Sequence, residues 1–248
     1  MNAKFVFSLA LAAALPALAD VATDNVIGVL RVDSSAAETI VSVPWVATSA
    51  AATDTPIPVT DIVKTAGLNI GDELYYYDSE HGIYLCWTLN AQKKWDAAKD
   101  GGSGTTSSVS SLGRGNAIIL KRTAPIQDHF FLQGQVAKSG SAECTMMRSA
   151  TAPVYSLIAP PTDKAVSLND GAWSNVARND KVILKGRMFK YKEGKWGTYK
   201  YDENFVESFE KASETDVTVA VGEGAWFVSA KGDGEAASVS WSNLPSVQ

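Results

Sequence analysis

The sequence predicts an all-β protein made of two homologous units, sandwich-like or barrel-like, with at most short helices. Three observations predict it. Short runs rich in β-branched and aromatic residues recur along the chain, clusters of turn-forming residues separate them, and a set of landmark residues appears twice in the same order. The two units could form two domains or pair into one pseudo-symmetric body.

The N-terminus stands outside the fold. Residues 1–19 read MNAKFVFSLALAAALPALA: one basic residue, an apolar stretch from Phe5 to Leu15, then Ala17-Leu18-Ala19. This is the pattern of a cleavable signal peptide, and the apolar stretch falls short of the roughly 20 residues that span a bilayer. It predicts export to the periplasm, the cell surface or the extracellular space, with the mature chain starting at Asp20. No later run is long and apolar enough for a membrane helix. Cleavage removes Lys4 and takes the formal charge from −5 to −6. That acidity argues against sequence-independent binding to nucleic acid, which needs a basic field.

The first unit occupies residues 20–137. Its expected strands are TIVSVPWV, ELYYYD, IYLCWTL, AIILKR and FFLQGQV. PIPVTDIVKTAG (56–67) carries a short helical turn before Gly67, and DAAKDGGSGTTSSVSS (96–111) reads as a mobile loop. KSGSAECTMMRSATAP, within 138–153, is small and polar and reads as a linker. The second unit follows at 154–248, with strands at YSLIAPP, KVILK, MFKYK, WGTYKY, VTVAV, AWFVSA and ASVSW. In RMFKYKEGKWGTYKY, apolar and basic residues alternate on both sides of Glu193-Gly194, which predicts a hairpin. FVESFEKASE (205–214) is read as a helix, because Phe205 and Phe209 are spaced i, i+4.

The landmarks align the units. Gly113 and Gly115 match Gly222 and Gly224, Asp72 matches Asp180, Gly82 matches Gly186, Trp95 matches Trp196, and Pro44 matches Pro160. From the aspartate to the first glycine the spacing is 41 residues in one unit and 42 in the other. HFFLQGQV (129–136) aligns with AASVSWSN (236–243).

Motifs that carry chemistry are sparse. The Gly-x-Gly pairs lack the Gly-Lys-Ser/Thr of a P-loop and the third glycine of a dinucleotide fingerprint, and strand follows each where a helix should begin. All four glycines are read as tight turns needing positive φ. The chain has two histidines, His81 and His129, with no zinc-ligand spacing and no nucleophile elbow. The acid pairs Asp78/Glu80, Asp202/Glu203 and Asp233/Glu235 fall in predicted turns. A hydrolase using an unrecognised carboxylate pair is the third functional reading. Calcium suits such oxygens, but no EF-hand spacing exists and no cofactor is assigned. Cys86 and Cys144 could close one disulfide in an oxidising compartment; the alternative is a buried thiol at Cys86.

Aromatic residues are the most suggestive feature. Trp95 and Trp196 recur in both units and are read as core. Trp45, Trp87, Trp173, Trp226 and Trp241 have no tryptophan partner in the other unit; of these Trp45, Trp87, Trp173 and Trp226, with Tyr76 from the tyrosine run, are the candidate ligand-binding rings, since exposed aromatic faces stack on sugars, and core packing is the competing and favoured reading for each. Lys190, Lys192 and Lys195 form a candidate basic face, suited to an acidic polysaccharide or simply solvated and protecting a sheet edge.

SLIAPP (156–161), KWGTYKY (195–201) and VGEGAWFVSA (221–230) resemble an uncharacterised group of secreted bacterial repeat proteins. These carry a Leu-Ile-x-x-Pro opening, a mid-repeat Trp and a Gly-Glu-Gly-aromatic turn. The first unit is more divergent: in LGRGNAIIL (112–120) Arg114 replaces the glutamate and Ile118 the aromatic residue. The resemblance implies export and a repeated β-fold and carries over no catalytic residue. The expected function is therefore a non-catalytic secreted or cell-envelope protein with a structural or interaction role, its partner a polysaccharide, an envelope protein or a second copy of itself. A carbohydrate-binding module is the alternative.

Overall fold

A computed structural model describes residues 27–43, 45–46, 55–96, 99–100, 109–135, 143–162, 164–201, 207–230 and 238–242. Pro44 and residues 1–19, expected as a signal peptide, lie outside them, as do Asp202, Glu203, Asp233 and Glu235. Along the first half run β1 (Ile27–Asp33), β2 (Glu38–Ser42), β3 (Ile57–Pro58), β4 (Glu73–Asp78), β5 (Ile83–Thr88), β6 (Lys99–Asp100), β7 (Ser111–Leu112), β8 (Ala117–Lys121) and β9 (His129–Gln135). The second half holds β10 (Glu143–Met147), β11 (Val154–Ile158), β12 (Val166–Ser167), β13 (Ala172–Ser174), β14 (Lys181–Leu184), β15 (Arg187–Lys192) and β16 (Lys195–Tyr201). It is completed by β17 (Glu207–Lys211), β18 (Thr218–Val219), β19 (Ala225–Ser229) and β20 (Ser238–Ser242). Helix is confined to two four-residue turns among the described residues, Val59–Ile62 and Glu214–Val217. The protein is all-β, and no described helix is long and apolar enough to cross a membrane.

Every strand pairing among the described residues is antiparallel. The main sheet of the first half has the order β2-β8-β4-β5-β6, and that of the second β11-β19-β14-β15-β16-β17. These orders agree position by position, with β17 added at the edge. Two smaller ladders agree as well: β1-β9 with β10-β20, and β3-β7 with β12-β18. β13 joins β20 with no partner of its kind among the described residues of the first half.

Alternation explains which residues enter each core. In β4 and β5, Leu74, Leu85 and Trp87 point inward while Tyr75, Tyr77, Tyr84 and Cys86 take the other face. The first core is completed by Ile118, Leu120 and Leu132. The second gathers Val182, Phe189, Trp196, Phe227, Val239 and Trp241. Between the two lies a small cluster of Ala117, Leu157 and Ala159, with Ile40, Tyr77, Ile119 and Trp226 packed against it.

The halves are stitched together by reciprocal backbone contacts. The turn before β19 reaches β2: the Ser42 N–H donates to the Gly222 carbonyl (3.2 Å) and the Gly224 N–H to the Ile40 carbonyl (3.2 Å), forming the bridge Val41–Glu223. The turn before β8 reaches β11 in return: the Ala159 N–H donates to the Gly115 carbonyl (2.9 Å), with the bridge Asn116–Ile158.

Three expected elements are corrected. The segment expected as a linker contains β10, which pairs with β20 and buries Cys144 and Met146 between exposed neighbours. The helix expected over 205–214 is instead strand β17, followed by the helical turn whose N-cap is Ser213. An i, i+4 spacing of phenylalanines also fits one face of a strand, because four is a multiple of two; Phe209 lies across from Tyr199, and Phe205 is outside the described residues. Within the expected loop at 96–111, Lys99–Asp100 forms β6 against Leu85 and Cys86. The expected hairpin at Glu193-Gly194 is present, as Lys192 pairs with Lys195.

Candidate functional site

The Gly-x-Gly segments build turns, and one glycine of each pair does so. Gly115 (φ +88°) and Gly222 (φ +86°) adopt the left-handed region, whereas Gly113 and Gly224 do not. The two turns close alike, Asn116 N–H to Gly113 carbonyl and Glu223 N–H to Ala220 carbonyl. Gly115 and Gly222 are thus the equivalent positions, and the letter-by-letter match of Gly113 to Gly222 is offset by two residues. Gly224 serves the seam instead, where a Cβ would come within 2.7 Å of both Ala117 and Ile40.

Polar candidates are used locally. Cys86 and Cys144 are free thiols, not a disulfide: Cys86 faces outward on β5 and Cys144 is buried on β10 beside Trp241. Burial pushes the Cys144 thiol up to about 12. In the β4–β5 turn, the Asp78 carboxylate accepts from the backbone N–H groups of Glu80 (3.1 Å) and His81 (3.3 Å) and contacts His81 Nδ1 at 2.8 Å. Asp78, Glu80 and His81 offer ligand atoms within 4.8 Å of one another. The turn already occupies both oxygens of Asp78, and the two acids share one turn rather than facing across a cleft, as a glycosidase pair would. His129 contacts Asp128 at 2.6 Å on the surface.

Most candidate rings are structural. Trp45 is buried against Gly28 and Gly134, and Trp87 is buried in the first core. Tyr76 packs half-buried on that core, and its phenol is pushed up to about 12 by burial. Trp173 stacks on Trp241 with ring centroids 5.0 Å apart and donates from Nε1 to the Leu168 carbonyl (2.7 Å). Trp226 differs. It sits at the seam with Tyr77 at 5.7 Å, Tyr155 at 6.4 Å and Tyr84 at 6.5 Å, all edge-on. These four rings and Ile183 line an open cleft of about 440 Å³. Tyr84 and Tyr155 are 41% and 48% exposed. Tyr77 and Tyr84 come from the first half, and Tyr155, Ile183 and Trp226 from the second, so the cleft exists only where the halves meet. Alternation in ELYYYD and IYLCWTL assigns Tyr77 and Tyr84 to the outer face; no local pattern joins them to Tyr155.

The three candidate lysines lie together beside this cleft, on the outer face of the second sheet. Lys190 pairs across strands with Lys181, and Lys192 with Lys195. The Lys190 ammonium stands 4.6 Å from the Tyr199 ring centre, and that of Lys192 5.7 Å from Phe209. Lys211 shares the same face through Gly197. A second, larger cleft of about 570 Å³ runs along the seam near Arg31, Glu38, Lys185 and Glu223. Its charges are largely spent internally, Arg31 on Asp33 (2.7 Å) and Lys185 on Glu223 (3.5 Å).

Comparison with protein-family models, curated proteins and solved structures gives no match for this chain.

Proposed function

We propose that this chain is a non-catalytic exported protein of the cell envelope or extracellular space, built from a duplicated β unit, with a structural or interaction role. The observation that carries the reading is the cleft of Tyr77, Tyr84, Tyr155 and Trp226, whose rings come from both halves. A ring surface that requires two docked halves fits a binding scaffold better than a processing site. The signal-peptide pattern of residues 1–19 supports export, and the matched strand orders support duplication.

The same cleft favours the carbohydrate-binding reading over protein self-association. Flat apolar rings with polar tips suit the C–H faces of sugars. Affinity electrophoresis of the purified exported protein through gels of neutral and acidic polysaccharides tests it, alongside sedimentation at high concentration and an assay for released reducing ends. Retardation or self-association without sugar release is the expected outcome. Release of reducing ends from any polymer would replace the reading with a hydrolase.

A further inference from the structure

We propose that the outer face of the second sheet binds a linear polyuronate, a polysaccharide carrying a carboxylate on its sugar units. The inference rests on the reading of the protein as an exported binding scaffold and names its partner.

Antiparallel register sorts the face into rows that cross the strands. One row is apolar and aromatic: Leu157 pairs with Trp226, Trp226 with Ile183, and Ile183 with Met188. Tyr199 and Phe209, paired with each other on β16 and β17, continue it. The next row is basic along half its length: Tyr155, Val228, Lys181, Lys190, Gly197 and Lys211 are successive cross-strand partners. The Lys192–Lys195 pair lies beyond it. Leu157 and Val228 are buried at the seam, so the open part of the face runs from Trp226 on β19 across to β17; these five strands, spaced about 4.8 Å apart, give it a length of about 19 Å, enough for a few sugar units of an extended chain.

Charge complementarity selects the occupant. Lys181, Lys190, Lys192, Lys195 and Lys211 share the face. Lys192 and Lys211 have rim acids nearby, Glu193 at 3.9 Å and Glu214 at 2.8 Å. Lys181, Lys190 and Lys195 have no carboxylate partner among the described residues. The first half supplies an internal contrast. Its pair Leu74–Trp87 corresponds to Val182–Phe189 in the core, and the neighbouring outer pair is Glu73–Thr88 where the second half has Lys181–Lys190. In the first half this row is of mixed charge, Glu73 pairing with Lys121 at 3.4 Å, whereas in the second it gathers lysines, so the lysine pair is not a requirement of the fold.

An apolar row beside a cationic row calls for a ligand with a non-polar flank and regularly spaced negative charge. A polyuronate presents both, its ring C–H faces toward the aromatics and its carboxylates toward the ammonium groups. Every cation in these rows is lysine, a point charge that attracts an anionic group without imposing a two-pronged geometry.

The test is affinity electrophoresis of the full exported chain in gels containing polygalacturonate, a neutral glucan, a sulfated glycan or single-stranded DNA, with anionic vesicles assayed by flotation. Polygalacturonate should retard the protein most, and added salt should weaken the effect. Lys181→Gln with Lys190→Gln should lower the apparent affinity about tenfold, as expected for losing two charge contacts. Trp226→Ala should lower it severalfold. Lys200→Gln, on the opposite face, should leave it unchanged. Circular dichroism of each variant separates lost binding from lost folding. Equal retention by DNA, sulfated glycan or anionic vesicles would overturn the polyuronate assignment, and so would wild-type affinity in the folded double-lysine variant. Retardation by the neutral glucan alone would overturn this inference while supporting the binding reading; no retardation and no self-association would overturn both.

Discussion

Asp72 and Asp180 make the same hydrogen bonds at the same place in the two halves. Each is buried just before the strand that enters the middle of its sheet, β4 or β14. Each accepts the backbone N–H three residues earlier, from Asn69 and Ala177, both at 2.8 Å. Each also accepts a backbone N–H just past the end of β8 or β19, from Thr123 and Ala230, both at 2.7 Å. One carboxylate thus fastens the start of one strand to the end of its neighbour. The difference lies in the remaining capacity: Asp72 accepts the Thr123 hydroxyl at 2.8 Å, while Asp180 pairs with the guanidinium of Arg148.

That difference predicts unequal costs. Arg148 is 7% exposed and Asp180 fully buried, so Asp180→Ala strands a buried cation. Loss of about 3–5 kcal/mol is expected for breaking such a pair. Asp72→Ala should cost less, about 1–3 kcal/mol, because neutral donors are left behind. Urea denaturation would show the order, and Asp180→Ala with Arg148→Met should recover part of the loss.

Glycines of one Gly-x-Gly segment should respond oppositely. At Gly115 an alanine must adopt positive φ and bring its Cβ within 2.8 Å of the Cys144 Cβ. Gly222→Ala would press on Leu30 at 2.6 Å. Each should destabilise by at least about 1–2 kcal/mol. Gly113→Ala meets nothing within 4 Å and should change stability by no more than about 0.5 kcal/mol. Equal effects at Gly113 and Gly115 in thermal melts would contradict this geometry.

Alkali should weaken the fold. Burial raises Cys144 and Tyr76 each to about 12, so both stay protonated in the native state after their unfolded counterparts ionise. Stability from these groups is intact below the unfolded values, about 8.5 for a thiol and 10 for a phenol, and falls as pH rises toward 12. The slope approaches about 1.4 kcal/mol per pH unit for each group. Urea midpoints should hold steady from pH 7 to 8 and drop between pH 9 and 11. Protein prepared without reductant should also release two reactive thiols on unfolding; none would mean a disulfide.

Widening the seam should separate the halves. Gly224→Val would collide with Ala117 and Ile40, which belong to the other half. Each half keeps its own core. Calorimetry should therefore split one cooperative transition into two, whereas a single shifted transition would mean that the cores unfold together regardless.

The strands were legible because alternation is local: ELYYYD and MFKYK each carry their own inward and outward faces. The Asp72–Asp180 match was legible because both residues are held by one repeated hydrogen-bond pattern. β10 was missed although Cys144 and Met146 alternate with exposed residues, since its partner Trp241 lies nearly a hundred residues later and the surrounding serines and threonines resemble a linker. The glycine alignment slipped because sequence shows glycines, not φ. The aromatic cleft was half legible. Trp226 was singled out, but Tyr155 and Tyr84 reach it only through the seam, a contact between segments that no spacing encodes.

The reciprocal seam has the form of an isologous dimer interface contained within one polypeptide. Were the halves separate chains, their association would depend on concentration and would fail on dilution. Covalent linkage replaces that concentration with a fixed effective molarity set by the connecting segment. It also frees the two subunit-like halves from having to match. One can balance its outer row with the Glu73–Lys121 pair while the other gathers lysines, giving a two-fold framework a polarity that a homodimer could not have.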